Sequence, residues 1–291
     1  MSYRLGVLGN CQARGFARSL QAFLPDCNVE VVHMSKAASS SADDRNIFAS
    51  KLAECDVVFT QPVSDAALGP LTTDSLKDSC RFVVTYPYLA FSGLHPDCNY
   101  IVHNGSHLRG PMGPYHSALI AACYQEGLSE ERALRLFNAF SFSSLGYYSQ
   151  FDFSCKSLSR DAISLVYDFS AFLNRSEKSQ FMHTINHPAI AIIHDTAAQA
   201  LAKAGIVPTE LEAPLPEDEL AESFIWPVYP EIAQRIGCHG SYRFHAHPAK
   251  VLDLRKFIFH AFKAYREIES PFAPPPAVER ARAFLQREIV G

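Results

Sequence analysis

The sequence predicts an α/β fold in which an N-terminal, Rossmann-like layer carries a parallel sheet and the C-terminal half is mainly helical. Short runs rich in β-branched residues, at 29–34, 55–60 and 81–86, alternate with helix-like stretches near the N-terminus, and a further short run predicts a fifth strand at 99–103. This alternation is typical of right-handed βαβ units. Helical periodicity dominates the later part of the chain. We therefore expect an α/β domain at 1–127 and a mainly helical region at 128–291 that covers the site.

The first strand of this layer leads directly to a cysteine. Residues 3–9 form a short apolar run, the turn Gly9-Asn10-Cys11-Gln12 follows, and a helix-like run covers 13–24. Cys11 is then placed at the carboxyl end of a strand, where open α/β sheets bind ligands, and at a helix N-terminus, which favours a thiolate. The pattern predicts a nucleophile with a lowered pKa. The alternative is a small buried thiol, since most free cysteines are inert.

Amide side chains surround the cysteine in the predicted fold. Asn10 and Gln12 flank Cys11, and Gln61 follows the third predicted strand. Because the carboxyl ends of parallel strands meet at one edge, we expect Gln61 near Cys11, with all three amides able to donate to a developing oxyanion. The G-x-G-x-x-G and P-loop signatures are absent from the sequence, which disfavours a nicotinamide or nucleoside triphosphate enzyme.

Composition points to an ordinary globular protein. The formal net charge is -4 with 48 % hydrophobic residues, which gives no electrostatic reason to expect a nucleic acid partner. The eight cysteines form no C-x-x-C pair and are expected to be reduced. We see no signal peptide, transmembrane segment or metal-ligand motif in the sequence, so we expect a cytoplasmic protein without a metal. The oligomeric state stays open.

The segment 91–117 is rich in glycine, proline and histidine. His95 lies two residues before Asp97, whose carboxylate could orient the imidazole ring. Asp97 and Ser117 are also candidates for substrate contact. His116 precedes Ser117 at the start of an apolar helix, where a histidine tends to stay neutral and can act as a general base. Either histidine could instead be a loop residue bonded to the backbone.

Helices predicted over the second half lie at 129–140, 159–173, 188–204 and 248–268. Asn186 and His187 immediately precede the third of these and are candidates for substrate contact, although Asn186 could equally cap the helix. The acidic, proline-rich stretch 208–222 predicts a surface loop or flap. The amphipathic stretch 278–289 predicts a docking helix.

An aromatic segment near the C-terminus offers a second type of contact. Trp226 and Tyr229 lie close together in the chain, and Arg243 follows after a short predicted helix. Aromatic faces beside a guanidinium would suit an adenine ring and its phosphates. The same residues would equally suit a core and a surface salt bridge.

Five motifs in order resemble those of the WcbI family of bacterial polysaccharide-biosynthesis enzymes. They are Gly9-Asn10-Cys11-Gln12, Thr60-Gln61-Pro62, Ser92-Gly93-Leu94-His95-Pro96-Asp97, Gly110-Pro111-Met112-Gly113-Pro114-Tyr115-His116-Ser117 and Asn186-His187-Pro188. Each motif is short, but their common order is fairly specific. Pro114 departs from the acidic or polar residue expected at that position of the family.

The resemblance implies a coenzyme A-binding acetyltransferase that uses acetyl-CoA to modify a sugar of a capsular or surface polysaccharide. It implies that Cys11 is the active-site thiol, and it leaves open whether His95 or His116 pairs with it. Two alternatives stay open. One is a cysteine variant of the Ser-Gly-Asn-His esterases, which the absence of a terminal D-x-x-H disfavours, and the other is a non-catalytic module that binds a coenzyme or sugar.

Overall fold

The computed structural model describes residues 2–165, 167–176, 179–246 and 249–290. The chain divides into two compact units of three segments each. Unit 1 comprises Met1–Leu89, Leu158–Phe172 and His187–Leu220, and unit 2 comprises Ala90–Ser157, Leu173–Asn186 and Ala221–Gly291. The single boundary expected after residue 127 does not describe these units, because two later segments belong with the N-terminal sheet.

The strands are short, as is usual for an α/β protein. In chain order they are β1 (Arg4–Gly9), β2 (Asn28–His33), β3 (Val57–Thr60), β4 (Val83–Thr85), β5 (Cys98–Tyr100), β6 (Val102–His103), β7 (Ser106–His107), β8 (Tyr115–Ser117), β9 (Phe224–Ile225), β10 (Phe244–Ala246) and β11 (Val251–Leu252).

The α-helices alternate with the strands in the first part of the chain and dominate afterwards. They are α1 (Ala13–Phe23), α2 (Met34–Ser39), α3 (Ala42–Ala53), α4 (Thr73–Ser79), α5 (Ala118–Gln125), α6 (Glu130–Arg135), α7 (Ala139–Ser144), α8 (Gln150–Leu165), α9 (Ser170–Ser176), α10 (Ile190–Lys203), α11 (Pro230–Ile236), α12 (Leu254–Arg266) and α13 (Pro276–Val290).

Unit 1 is built on a four-stranded parallel sheet in the order β2-β1-β3-β4. Every residue of the central strand β3 is buried, as expected for a parallel strand covered on both faces. This sheet confirms the predicted Rossmann-like layer, and the helices that dominate the later part of the chain confirm the predicted helical half.

Helix α1 connects β1 to β2, packs against the sheet through Phe16 and also contacts α10. Its buried residues follow the helical period and are Ala13, Phe16, Ala17, Ser19, Leu20 and Phe23. A Cβ added to Gly15 would lie 3.2 Å from Cδ1 of Ile190, so the glycine permits the close approach of the two helices. The helix that begins two residues after Cys11 is therefore packed on both sides within unit 1.

The acidic stretch predicted as a surface loop or flap is attached to unit 1 by hydrogen bonds. The Thr209 N–H donates to the carbonyl of Phe23 over 3.1 Å. Nearer its other end, a carboxylate oxygen of Asp218 accepts the Ile190 N–H over 2.9 Å and so satisfies an unpaired donor at the start of α10. Through these two bonds the segment is fixed to α1 and α10.

Unit 2 packs around α5, whose residues from Ala118 to Cys123 are all buried. Helices α12 and α13 lie against it. The Nε of Arg282 on α13 donates to Glu126 Oε1, just after α5, over 2.7 Å. The C-terminal docking helix predicted at 278–289 is therefore confirmed as part of α13.

Several predicted elements differ from the structure because short apolar runs do not specify their partners. The fifth strand expected at 99–103 is not part of the parallel sheet: β5 pairs with β8 in an antiparallel ladder. The helix expected at 129–140 is broken into α6 and α7. The helix expected at 159–173 is likewise divided between α8 and α9. The helix expected at 248–268 begins only at Leu254, and its predicted first residue lies outside the described residues.

Candidate active site

The turn between β1 and α1 lies at the point where the order of the sheet reverses. The chain leaves β1 toward β2 on one side and later returns to β3 on the other. Cys11 follows β1 and Gln61 follows β3, so both lie at the carboxyl edge of adjacent parallel strands. Ligands bind in open α/β sheets at such a reversal. The predicted placement of Gln61 and Cys11 on one edge is confirmed.

The side chain of Gln61 contacts both residues that flank the cysteine. Its Oε1 accepts the backbone N–H of Asn10 over 3.0 Å, and its Nε2 donates to Oε1 of Gln12 over 3.2 Å. Only 1 % of Gln61 is exposed. The Gln61 amide therefore serves the turn itself, and its burial does not suit a contact with a substrate oxyanion.

Gln12 is fixed in turn by the backbone of Leu89. Its Oε1 accepts the Leu89 N–H over 3.1 Å and its Nε2 donates to the Leu89 carbonyl over 2.8 Å. The backbone N–H of Gln12 donates to Oδ1 of Asn10 over 2.9 Å. The predicted oxyanion role does not suit Gln12 or Gln61. It stays a prediction for Asn10, whose Oδ1 is engaged and whose Nδ2 is the end that remains to donate.

Cys11 itself is half-buried and reduced. Burial raises the pKa of the Cys11 thiol, and the backbone N–H groups of Cys11 and Gln12, which lower the pKa, only partly offset this effect. The expected lowering of the pKa is therefore wrong, because desolvation outweighs the donors at the turn. The thiol is neutral at physiological pH and requires a proton acceptor to react.

Gly9 is needed for the close packing beneath this turn. A Cβ at position 9 would lie 2.3 Å from the Tyr86 hydroxyl and 3.2 Å from Oε1 of Gln61. Tyr86 is buried, stacks on Phe16 with ring centroids 4.0 Å apart, and donates to the Leu8 carbonyl at 3.5 Å. The first glycine of the motif therefore leaves room for the groups that support the cysteine.

A histidine that the sequence analysis did not select lies at the same edge. His33 ends β2 and is the register partner of Gly9. Its Nδ1 accepts the Ser35 N–H over 3.3 Å, so the ring caps α2 and carries its proton on Nε2. Burial and then the charge of Arg14 lower the pKa of His33, which keeps the ring neutral. Gln61 was selected because it follows a predicted parallel strand. His33 lies at the end of another such strand, so the same criterion could have selected it.

The two histidines selected from the sequence are core residues of unit 2. His116 is 1 % exposed and both nitrogens are engaged: Nε2 lies 2.9 Å from the Leu108 carbonyl and Nδ1 lies 3.0 Å from the Tyr265 hydroxyl. Burial lowers the pKa of His116 to about 4. A histidine with no free nitrogen and no exposure does not suit the role of a base, so the geometry speaks against this assignment.

His95 is bonded to the backbone through one ring nitrogen. Its Nε2 lies 3.0 Å from the Met182 carbonyl, and among the described residues its buried Nδ1 has no partner within ordinary hydrogen-bond geometry. Burial lowers the pKa of His95 to about 4, so the ring is neutral. The carboxylate of Asp97 does not orient the ring, contrary to expectation, since it is occupied by other donors. A role for His95 as base stays a prediction.

Asp97 anchors the start of α5. Its side chain is completely buried. Its Oδ1 accepts the Leu119 N–H over 2.9 Å and the Tyr147 hydroxyl over 2.7 Å. Its Oδ2 accepts the Tyr229 hydroxyl over 2.8 Å. Ser117 also bonds to this carboxylate, and its Oγ caps α5 by accepting the Ile120 N–H. Burial raises the pKa of Asp97. Asp97 and Ser117 are therefore structural groups, and the expected substrate contact does not suit them.

Asn186 and His187 are half-buried and precede α10, as expected. Oδ1 of Asn186 accepts the Tyr115 hydroxyl over 2.8 Å. The N-cap of α10 is Ala189, so Asn186 does not cap that helix. A substrate contact for Asn186 and His187 stays a prediction.

Trp226 and Tyr229 belong to the aromatic core of unit 2. Trp226 has 0 % of its surface exposed and packs edge-on against Phe244 and Phe257, at 5.2 and 5.3 Å between ring centroids. Neither aromatic ring has a face free for an adenine, so the expected coenzyme contact does not suit Trp226 or Tyr229. Arg243 is exposed, and its part in coenzyme binding stays a prediction.

Two further properties bear on the chemistry. Within the described ranges, no group of three or more histidine, cysteine or acidic side chains is arranged to hold a metal ion. Among the helices the structure describes, none combines the length and the apolar character needed to cross a bilayer.

Comparison with known proteins identifies the family. The family model described as "Polysaccharide biosynthesis enzyme WcbI" matches residues 4–209, which is more than half of the chain. The chain belongs to the WcbI family. No curated protein sequence matches it. The match contains the five motifs, so the resemblance based on them is confirmed, and the WcbI description supports an enzyme of polysaccharide biosynthesis.

A solved structure shares the fold over the full length. It is described as WcbI, "a novel polysaccharide biosynthesis enzyme", in its native form without a disulfide bond between coenzyme A and one of its cysteines. It has a TM-score of 0.73 and 17 % identity, and the alignment covers 100 % of this chain and 96 % of the other. At this identity the likeness shows a common fold, and it extends beyond the WcbI family match to the C-terminal helices.

Proposed function

We propose that this WcbI family member is an acetyl-CoA-dependent O-acetyltransferase that acts on a sugar in the biosynthesis of a bacterial capsular or surface polysaccharide. The observation that carries the proposal is the placement of Cys11 in a braced turn at the reversal point of the sheet. Family membership supports the polysaccharide pathway. The description of the similar structure, which names coenzyme A together with a cysteine, supports the substrate.

The chemistry begins with the thiol of Cys11. After losing its proton to a base, Sγ attacks the carbonyl carbon of acetyl-CoA, and a tetrahedral oxyanion forms. The backbone N–H of Cys11 and the Nδ2 of Asn10 are the donors nearest in the chain that can stabilise this oxyanion. Collapse of the intermediate breaks the bond to the coenzyme sulfur, which leaves as a thiolate and takes up a proton. Cys11 then carries the acetyl group as a thioester.

The second half of the reaction transfers this group to the sugar. A sugar hydroxyl loses its proton and attacks the acetyl carbonyl, an O-acetyl ester forms, and Cys11 leaves as a thiolate. Because the pKa of Cys11 is raised, only a small fraction of the thiol is ionised at neutral pH. The first step therefore depends on a base that removes the proton. The Nδ1 of His33 accepts a hydrogen bond from Ser35, so the proton of the neutral ring is on Nε2. This nitrogen can donate to an anion but cannot act as a base.

Native mass spectrometry with acetyl-CoA tests the proposal. The protein should bind coenzyme A, and incubation with acetyl-CoA in the absence of a sugar should add one acetyl group, which peptide mapping places on Cys11. Desulfo-coenzyme A, which lacks the sulfur and so cannot carry an acetyl group, is the control and should bind without leaving a covalent adduct on the protein. Binding without an acetyl adduct and without acetyl transfer to any sugar acceptor would favour a non-catalytic coenzyme-binding module. Release of acetate from simple esters would favour the esterase alternative.

A further inference from the structure

We infer that Gln61 is a positioning residue for Cys11. One buried side chain from the neighbouring strand fixes the residue before the cysteine through its Oε1 and the residue after it through its Nε2. We call Gln61, Asn10 and Gln12 the amide clamp. The inference deepens the proposed function, and its consequences for turnover rest on that function. The effect of Gln61 on the chemical reactivity of Cys11 can be measured independently of it.

The amide clamp is fixed at its base by the sheet. The backbone N–H of Gln61 donates to the Leu8 carbonyl of β1 over 3.0 Å, and the Tyr86 N–H donates to the Thr60 carbonyl just before Gln61 over 2.9 Å. The backbone of Gln61 therefore continues the hydrogen bonding of the parallel ladder one residue beyond β3. Because the backbone of Gln61 is fixed by the sheet, the hydrogen bonds from its side chain restrict the positions of Asn10 and Gln12 in the turn.

The other end of the amide clamp is equally constrained. Gln12 is 2 % exposed, and its side chain engages both the N–H and the carbonyl of Leu89. The Oε1 of Gln12 accepts from Gln61 and Leu89 together. Each amide thus has its orientation determined by its partners, since reversal of either would place donor against donor or acceptor against acceptor.

The amide clamp governs where the Sγ of Cys11 can go. A cysteine in a turn has no ladder hydrogen bonds of its own, so its position depends on its two neighbours. Reaction requires Sγ within about 3.5 Å of the thioester carbonyl and aligned with it, and a misplacement of about 1 Å lowers the rate roughly 100-fold. Gln61 therefore acts on the reaction through the turn and does not itself contact the reacting atoms.

Gln61→Met tests the inference, because methionine has a similar length but neither donates nor accepts as the amide does. Gln199→Met is the matched control. Gln199 also lies in unit 1, and it holds the N–H and carbonyl of Asp168 at 2.8 and 2.7 Å, but it belongs to α10 and not to the turn at Cys11. Both variants lose an amide that bridges two parts of unit 1.

For Gln61→Met we expect kcat to fall by roughly 10- to 100-fold while KM for acetyl-CoA changes by less than about threefold. Alkylation of Cys11 by iodoacetamide should become faster, because a loosened turn admits water and reagent. The buried thiols of Cys55 and Cys80 in unit 1 should stay protected and so report an intact core. Gln199→Met should match the wild type in kcat and in Cys11 labelling.

A conservative variant provides a rescue. Gln61→Glu keeps the acceptor for Asn10 but, when ionised, places an oxygen against Oε1 of Gln12. Protonation at acid pH restores a donor, so the excess alkylation of Cys11 over the wild type should diminish as the pH falls. A role in folding as a whole would also expose the buried Cys55 and Cys80, so recovery at Cys11 while these two thiols stay protected throughout separates the two roles.

Three results would overturn the inference. The first is a Gln61→Met protein with the kcat and Cys11 alkylation of Gln199→Met. The second is simultaneous labelling of Cys55 and Cys80, which would show that the amide supports the fold as a whole. The third is a Gln61→Glu protein with no recovery at acid pH. Full activity of a Cys11 variant would instead contradict the proposed function and would leave the alkylation result to stand alone.

Discussion

Cys11→Ser should lower acetyl transfer by roughly 100-fold or more while the protein stays folded. Serine is nearly the same size, but its hydroxyl is far harder to ionise than a thiol, and desolvation at this turn penalises the anion further. The measurement is the rate of coenzyme A release from acetyl-CoA in the presence of a sugar acceptor, together with the affinity for coenzyme A by calorimetry.

Cys27→Ser is the matched control for this experiment. Cys27 is another half-buried thiol of unit 1. It lies after the C-terminal end of α1, whereas the turn that contains Cys11 lies before the N-terminal end of this helix. We expect wild-type turnover for Cys27→Ser and near wild-type coenzyme A affinity for both variants. Retention of most of the activity by Cys11→Ser would exclude the thiol as the nucleophile.

Asp97→Ala should reduce the free energy of unfolding of unit 2 by about 3 to 5 kcal/mol, since the N–H of Leu119 and the hydroxyls of Tyr147 and Tyr229 lose their buried acceptor together. The protein contains one tryptophan, Trp226, which is buried in unit 2, so its fluorescence during urea unfolding reports this unit.

Asp253→Ala is the control for this comparison. Asp253 caps α12 of the same unit by accepting the Lys256 N–H over 2.8 Å, but it is exposed. Loss of such a cap is expected to reduce stability by about 1 kcal/mol. Equal effects of the two substitutions would contradict the structural role assigned to Asp97, and loss of coenzyme A affinity in a stably folded Asp97→Asn protein would return Asp97 to the substrate site.

The parallel sheet could be predicted from the sequence because its strands are continuous β-branched runs separated by helices. The strand expected at 99–103 could not be placed, since three residues of β5 contain no information on whether their partner is parallel or antiparallel. The segment 187–220 belongs to unit 1 through the packing of α10 on α1, a contact between distant parts of the chain that local pattern does not reveal.

The candidate site was predictable in position but not in the direction of its hydrogen bonds. The end of β1 and the end of β3 indicated Cys11 and Gln61, because topology alone brings these positions together. Which way an amide faces depends on its partners, and the Leu89 backbone that fixes Gln12 follows no motif. The same limitation applies to Trp226. An aromatic side chain suits a ligand-binding surface and a hydrophobic core equally, and only its burial in the structure distinguishes the two.

The pKa of the thiol shows why opposing effects must be compared in the folded protein. A helix N-terminus lowers a thiol pKa and burial raises it, and the sequence reveals only the first. Because the folded protein raises the pKa of Cys11, its alkylation should increase with pH up to values above the ordinary range of a cysteine. At neutral pH the rate should reflect a small thiolate fraction.

Protection of Cys11 by coenzyme A is the most direct test of the central claim, that this thiol lies at the acetyl-CoA site. Iodoacetamide labelling, read by peptide mass mapping, follows all eight cysteines in one experiment. Saturating desulfo-coenzyme A, which lacks the coenzyme thiol that would itself consume iodoacetamide, should slow the alkylation of Cys11 and leave the half-buried Cys27 and Cys238 unchanged as internal controls. Alkylation of Cys11 at the same rate with and without this bound analogue would contradict the account.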